Sequence, residues 1–440
     1  MQPMTATWRK LLARRRRQLM QAAGDGAILI LPAAPERIRS HDTHYPYRQD
    51  SDFWYLTGFD EPEAVLVLVP GRRHGESILF CRERDPEREG WDGPRLGPEG
   101  VVDVLGVDDA YPVSDIDDIL PGLLEGRRRV HYHLGRDADF DLKLIGWLNR
   151  VRAQARQGAQ PPQEFLELGH LLDEMRLFKS AEEVKLMQQA ADISVAAHRA
   201  AMRAARPGIH EYELQAQIEH VFRMHDAQPA YGSIVGSGAN ACVLHYKANR
   251  AKSRDGDLVL IDAGAEFRGY AADITRCFPV NGRFSKEQRA LHDLVCAAQA
   301  AALAQARPGV RYEAGHEAAV ATLTEGLLSL GLLKGTLKAA LGSGDYKRYY
   351  RHKTGHWLGL DVHDVGEYRI DGESRLLEPG MVFTIEPGLY VPAGDASVPA
   401  KWRGIGIRIE DDVLITAAGH RVLTDALERG ADEVEALMAG

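Results

Sequence analysis

Two stretches of this chain carry the same helix punctuation, and that duplication limits the folds open to it. Ser180-Ala-Glu-Glu183 is a capping box: the Ser hydroxyl accepts a backbone N–H from the first helical turn, and Glu183 reciprocates. An Ala-rich helix follows and stops at Arg206-Pro207-Gly208. Ser285-Lys-Glu-Gln288 opens a second Ala-rich helix, which stops at Arg307-Pro308-Gly309. Each half then supplies another helix and a strand pair bearing two acids, Asp262 with Asp273 and Glu386 with Glu410. Two α+β halves that each present two carboxylates predict a pseudo-symmetric domain with a site between them.

The chain ahead of that repeat reads differently. Ala27–Leu31, Ala64–Val69, Ser77–Cys81 and Val130–Tyr132 are β-type runs among polar segments. Arg156 to Gln163 is a polar boundary stretch, and a helical pattern through Leu171, Met175 and Phe178 follows it. The expected domains are therefore 1–175 and 176–440. Glu83 to Gly100, crowded with charge, Gly and Pro, is expected to be a loop. Arg14 to Arg17 precede only a short apolar run that ends at Pro32, too little for a secretory or twin-arginine signal. They are expected to lie on the solvated face of a first helix that buries Trp8, Leu11, Leu12 and Leu19.

Composition removes several functional classes. Lys and Arg number 54 against 63 Asp and Glu, a net charge of −9, which argues against a nucleic-acid partner. No run of about 18 apolar residues exists, so no membrane-spanning helix is expected. Cys81, Cys242, Cys277 and Cys296 form no Cys-x-x-Cys pair, which fits a reduced, cytoplasmic protein without a disulfide frame or a thiolate metal site.

The acids carry the chemistry. Val259-Leu-Ile-Asp262 is a buried-strand pattern, and a two-residue turn at Phe267-Arg268 would set Asp262 directly opposite Asp273. Their Cβ atoms would then be roughly 5 Å apart. Like charges so placed either share a proton or hold a cation. Met381 to Ile385 is a second β-type run, ending at Glu386. In Gly404 to Glu410 the isoleucines alternate, so Arg408 and Glu410 share the opposite face. His352, His356 and His363 fall close together beside these strands, and His245 stands apart in Leu244-His-Tyr-Lys247. His352-Lys-Thr-Gly-His356 is not a zincin helix, because Lys353 stands where the Glu is needed. Two Asp, two Glu and at least one His form an oxygen-dominated set suited to hard divalent ions such as Mn²⁺. Four carboxylate charges match two divalent cations, the arrangement of two-metal hydrolases. No Gly-x-Ser-x-Gly elbow, phosphate-binding loop or dinucleotide fingerprint competes with this reading.

At this point the chain resembles a family, the pita-bread metallopeptidases, and within it the bacterial aminopeptidase P (Xaa-Pro aminopeptidase) group. Tyr45 to Phe59 and Glu61 to Leu68 look like that group's N-terminal domain. Leu260 to Gly264, His352 to Asp364, Ile385 to Tyr390 and Gly404 to Asp412 look like its metal and substrate motifs. The resemblance implies that Asp262 chelates one Mn²⁺, that Asp273 and Glu410 bridge two, and that His356 and Glu386 complete the second. It implies a bridging hydroxide as nucleophile and Glu386 as proton shuttle, with His245 and His363 steadying the carbonyl and oxyanion. It further implies that His352 and Arg408 hold the proline side and that Tyr390 lines the pocket. Trp91, in Gly90-Trp-Asp-Gly-Pro94, would either reach a neighbouring subunit's site in a homo-oligomer (dimer or tetramer) or pack on its own loop. The implied substrates are peptides with proline second. A prolidase acting only on Xaa-Pro dipeptides and a non-catalytic pita-bread binding protein are the alternatives.

Overall fold

Ala27–Pro32 is apolar throughout, so it can be stable only with both faces covered. The computed structural model, which describes residues 5–440, places this run inside a six-stranded sheet. Its neighbours are Val65–Leu68, antiparallel, and Arg129–Tyr132, parallel. Ile28 and Ile30 pack with Val65, Val67 and Phe80 under the helices Ile116–Leu124 and Ala138–Ala153. The helix Ala6–Ala23 also contacts this strand. The chain divides into two compact units, 1–175 and 176–440.

Two expectations for the first unit fail for physical reasons. Arg15 and Arg16 are not solvated: each is only 2% exposed. Arg15 donates to the carbonyl of Tyr55, and Arg16 to those of Leu56, Leu105 and Gly106. These carbonyls end the helices Ser51–Thr57 and Gly97–Leu105, where no intrahelical donor remains, and a guanidinium has donors enough to serve both. Trp8 is only half-buried, while Leu11, Leu12 and Leu19 are buried as expected. The stretch from 83 to 100 is not a loop either. Asp85 caps the helix Pro86–Asp92 by accepting the N–H groups of Glu87 and Arg88, with proline at the first turn.

The second unit shows the duplication. Both capping boxes form, opening the helices Ala181–Ala204 and Lys286–Leu303. After each Pro-Gly stop the chain makes the same three backbone hydrogen bonds. Gly208, Ser253 and Glu211 amides donate to Ser253, Ile209 and Ala251 carbonyls; Gly309, Leu377 and Tyr312 amides donate to Leu377, Val310 and Arg375. The second helices of the two halves are Glu211–Met224 and Tyr312–Ser329. One half contributes the sheet Ile234–Ser237, Leu258–Asp262, Thr275–Pro279. The other contributes Val382–Ile385, Asp411–Thr416, Gly419–Val422. A bridge between Thr275 and Glu410 joins the halves beside the acids.

The hairpin register differs from the expected one. Asp262 pairs with Thr275, not Asp273, because the turn is Arg268-Gly269. Both residues have positive φ (51° and 84°), as a tight hairpin turn requires, and glycine takes the second position without strain.

Candidate metal and substrate site

Each acid stands at or just beyond a strand end, where an apolar run gives way and a charged side chain can reach a cavity. Asp262 closes Leu258–Asp262, and Asp273 follows the hairpin turn two residues before Thr275–Pro279. Glu386 follows Val382–Ile385, and Glu410 lies between Ile405–Arg408 and Asp411–Thr416. His356 is in an irregular segment laid on the edge of Val382–Ile385. Its amide meets Thr384, and a Cβ on the preceding Gly355 would sit 1.9 Å from the Thr384 carbonyl oxygen. Only glycine admits that approach, which explains Gly355 in the His run.

These segments converge. Asp273, His356 and Glu410 each offer a ligand atom, and the three atoms lie within 4.8 Å of one another. His356 Nε2 is 3.4 Å from Asp273 and 3.7 Å from Glu386. Its Nδ1–H donates to the carbonyl of Trp357 at 3.0 Å, which leaves Nε2 as the ligating nitrogen. The Tyr231 hydroxyl lies between Asp262 Oδ1 (2.6 Å) and Asp273 Oδ1 (2.5 Å), so the two aspartates meet despite the register shift. Arg408 binds Asp262 through Nη2 and Thr275 Oγ1 through Nε, and the Thr275 hydroxyl donates to Glu410 at 2.6 Å. Arg408 and Glu410 do share a face, as the alternation predicts, but it is buried rather than solvated (4% and 2% exposed).

The electrostatics call for cations. Burial, then the carboxylates of Asp273, Glu386 and Asp262, holds Glu410 well above the usual carboxylate range. Burial lifts Glu386 to about 7, against the pull of His356 and Arg408. Burial also raises Asp262, with Arg408 opposing and Asp273 adding to the rise. His356 goes the other way: burial pulls it down, but Asp273 outweighs that and holds it at about 9. Carboxyls crowded together in a buried site, each disfavoured as an anion, form a donor set that positive charge would stabilise. Divalent cations would reverse each of these shifts. The donor set, oxygen-rich with one neutral-capable imidazole, fits such ions.

The remaining predicted residues fall into place unevenly. His245, His352, His363 and Arg408 line the same cavity as the acids, a space of about 1060 Å³ walled by residues 215 to 410. His245 and His363 are exposed at its surface, and the His363 ring stands edge-on to His356 at 4.4 Å. His352 lies 3.6 Å from Glu386, and burial lowers its imidazole to about 3. Tyr390 corrects an expectation. It is 2% exposed and is absent from the cavity wall; its hydroxyl sits behind, held by His352 Nε2 (2.8 Å) and Arg408 Nη1 (3.0 Å). Trp91 is 84% exposed on the helix Pro86–Asp92, so it does not pack on its own loop. Tyr231, Thr275 and Asp412 were not foreseen. Asp412 accepts the Asp273 amide; it closes the Gly404 to Asp412 stretch, but nothing in the sequence assigns it that contact. Tyr231 had only a weak signal, the glycine that follows it at 232.

A family model described as metallopeptidase family M24 matches residues 185–417, and one described as the aminopeptidase P N-terminal domain matches residues 12–132. The chain belongs to metallopeptidase family M24. It is 46% identical over 432 residues to an Xaa-Pro aminopeptidase of Escherichia coli K12, covering 98% of each chain. It is 43% identical over 426 residues to an Xaa-Pro aminopeptidase of Haemophilus influenzae, covering 97% of this chain and 96% of the other. Among solved structures, the aminopeptidase PepP of Pseudomonas aeruginosa matches with TM-score 0.97 at 56% identity over 98% of each chain. A glutamate-to-alanine variant of E. coli aminopeptidase P in complex with substrate matches with TM-score 0.95 at 46% identity, again over 98% of each. A zinc-substituted form of that enzyme, with product, matches equally well. The fold of this family member is thus α+β, with an aminopeptidase P-type N-terminal domain and a pita-bread C-terminal domain.

Proposed function

We propose that this M24 enzyme is an Xaa-Pro aminopeptidase that releases the N-terminal residue from peptides with proline second. The observation that carries the reading is the convergence of Asp273, His356 and Glu410 from three separate segments, with Asp262 and Glu386 beside them. In this reading these five side chains hold two divalent cations, Mn²⁺ being the first candidate. When bound, the cations supply Lewis acidity and a water made nucleophilic at neutral pH. Glu386 Oε would accept a proton from the attacking water and hand it to the leaving proline nitrogen. His245 and His363 donate to the scissile carbonyl and the developing oxyanion. His352 and Arg408, steadied by Tyr390, receive the proline side. An Xaa-Pro bond has no N–H and a locked φ, so a site must engage it through shape and carbonyl polarisation instead.

The exposed Trp91 supports its reaching a neighbouring subunit in a homo-oligomer, a dimer or tetramer. A cytoplasmic setting belongs to the same reading, supported by the four free cysteines. The test is a rate profile over Xaa-Pro peptides of increasing length, with Mn²⁺ titrated into metal-free protein. Cleavage of tripeptides and longer chains is expected. Activity confined to dipeptides would make the enzyme a prolidase, and protein that retains no divalent ion and cleaves nothing would make it a binding protein.

A further inference from the structure

The cavity that holds the acids runs past His352 and Thr354 into a lobe against the helix Tyr312–Ser329. None of the roles proposed above uses this lobe. Tyr312, Gly315 and His316 present one helical face to it, as their spacing of three and four residues dictates. Gly315 stands inside an 18-residue helix, where glycine is a poor helix former. Packing does not demand it there: a Cβ would meet the Ala302 carbonyl oxygen at 3.6 Å and its Cβ at 3.9 Å, both ordinary contacts. What glycine does provide is room, and Ala302 and Ala306 across the lobe extend it.

One polar atom, on His316, is open to this space, and a second, on Tyr312, is shut away beside it. The Tyr312 hydroxyl is buried and makes no hydrogen bond among the described residues, although its ring is firmly held by Trp357, Tyr368 and Phe383, with centroids at 4.8, 5.1 and 5.6 Å. His316 Nδ1 is fixed 2.8 Å from Thr354 Oγ1, which in turn meets the Tyr350 hydroxyl at 2.6 Å. No hydrogen bond among the described residues engages His316 Nε2. The lobe opens beside His352: the Tyr350 ring lies edge-on to His352 at 5.0 Å and 5.9 Å from His316.

We propose that this lobe is a subsite for the side chain of the peptide's third residue, the one after proline. It selects an aromatic side chain with a polar tip, tyrosine above alanine. The inference rests on the Xaa-Pro reading, which places proline next to His352. Aromatic walls receive the ring, and His316 Nε2 meets its hydroxyl.

Calorimetry with the dipeptides Pro-Tyr, Pro-Phe and Pro-Ala on the metal-loaded protein tests this without turnover. Pro-Tyr should bind at least about tenfold tighter than Pro-Ala. Gly315→Val, which fills the lobe, should bring that ratio close to one. His316→Phe should erase most of the preference for Pro-Tyr over Pro-Phe. Thermal melting verifies folding, and Gly315→Ala supplies a milder narrowing if the valine variant does not fold. In turnover, the ratio of kcat/KM for Ala-Pro-Tyr over Ala-Pro-Ala should fall in Gly315→Val, while the ratio for Tyr-Pro-Ala over Ala-Pro-Ala holds. Equal binding of Pro-Tyr and Pro-Ala to the unaltered protein overturns the proposal, as does a change confined to the first-residue ratio. The two readings fail separately. Cleavage with an indifferent third residue sinks only the subsite; Gly315-dependent binding of Pro-Tyr without any Xaa-Pro cleavage sinks only the functional reading.

Discussion

Loading the metal-free protein with Mn²⁺ at pH 7 should expel on the order of two protons per molecule. His356, held at about 9, is protonated at that pH, and its Nε2 cannot ligate until the proton leaves, which contributes about one. Glu386, at about 7, contributes about half a proton. Glu410, held well above the ordinary carboxylate range by burial and three neighbouring acids, moves the release in the same direction. Cation and proton compete for the same atoms, so apparent metal affinity should strengthen as pH rises. With one or more protons linked, the gain is at least about tenfold per pH unit. Calorimetry of chelator-stripped protein, in buffers of different ionisation enthalpy between pH 6 and 8, measures both quantities. Release of fewer than about half a proton, or affinity that does not change with pH, would refute the reasoning. It would mean that the acids are already ionised in the empty site, so that their crowding does not create the demand for cations.

Three further outcomes follow from the same geometry. Asp273→Asn and Glu410→Gln should each lower kcat by at least about a thousandfold while leaving the thermal midpoint unchanged or raised, because each removes a ligand and relieves like-charge crowding; near-normal turnover in either would remove that residue from the ligand set. Tyr231→Phe deletes the hydroxyl between Asp262 and Asp273 and should weaken metal retention by about 10–100-fold, measured by metal content after dialysis. Asp364 is buried against Lys179 (2.9 Å) and Arg176 (2.6 Å), which overcome its burial and hold its carboxyl below the ordinary value. Its stabilisation is therefore present above about pH 4 and is lost as pH falls through the depressed value. Asp364→Asn should cost about 3–5 kcal/mol in denaturant unfolding and flatten the acid side of the stability profile.

The parts legible in the sequence were those set by local rules. Both capping boxes, the Pro-Gly stops and four strands of the first unit were visible because each depends on neighbours a few residues away. What failed also failed locally. Arg15 and Arg16 carry no mark of burial, since the carbonyls that bind them belong to helices far along the chain. The hairpin turn was misplaced by one residue because the choice between Phe267-Arg268 and Arg268-Gly269 depends on which backbone conformation the flanking strands impose.

The sequence alone determined which residues could act: four acids at strand ends, a run of histidines, and an order along the chain that resembles one family. A carboxylate's place at the end of an apolar run needs no knowledge of what lies across from it. Tertiary structure alone decided how near these groups come and what surrounds them. It set Tyr231 between two aspartates, Thr275 between Arg408 and Glu410, and Tyr390 behind the wall rather than on it. Those contacts join segments separated by tens to more than a hundred positions, and burial there is what gives the carboxyls their unusual hold on protons. Proximity across such separations, and the low dielectric it creates, are properties of packing, which no window of sequence contains.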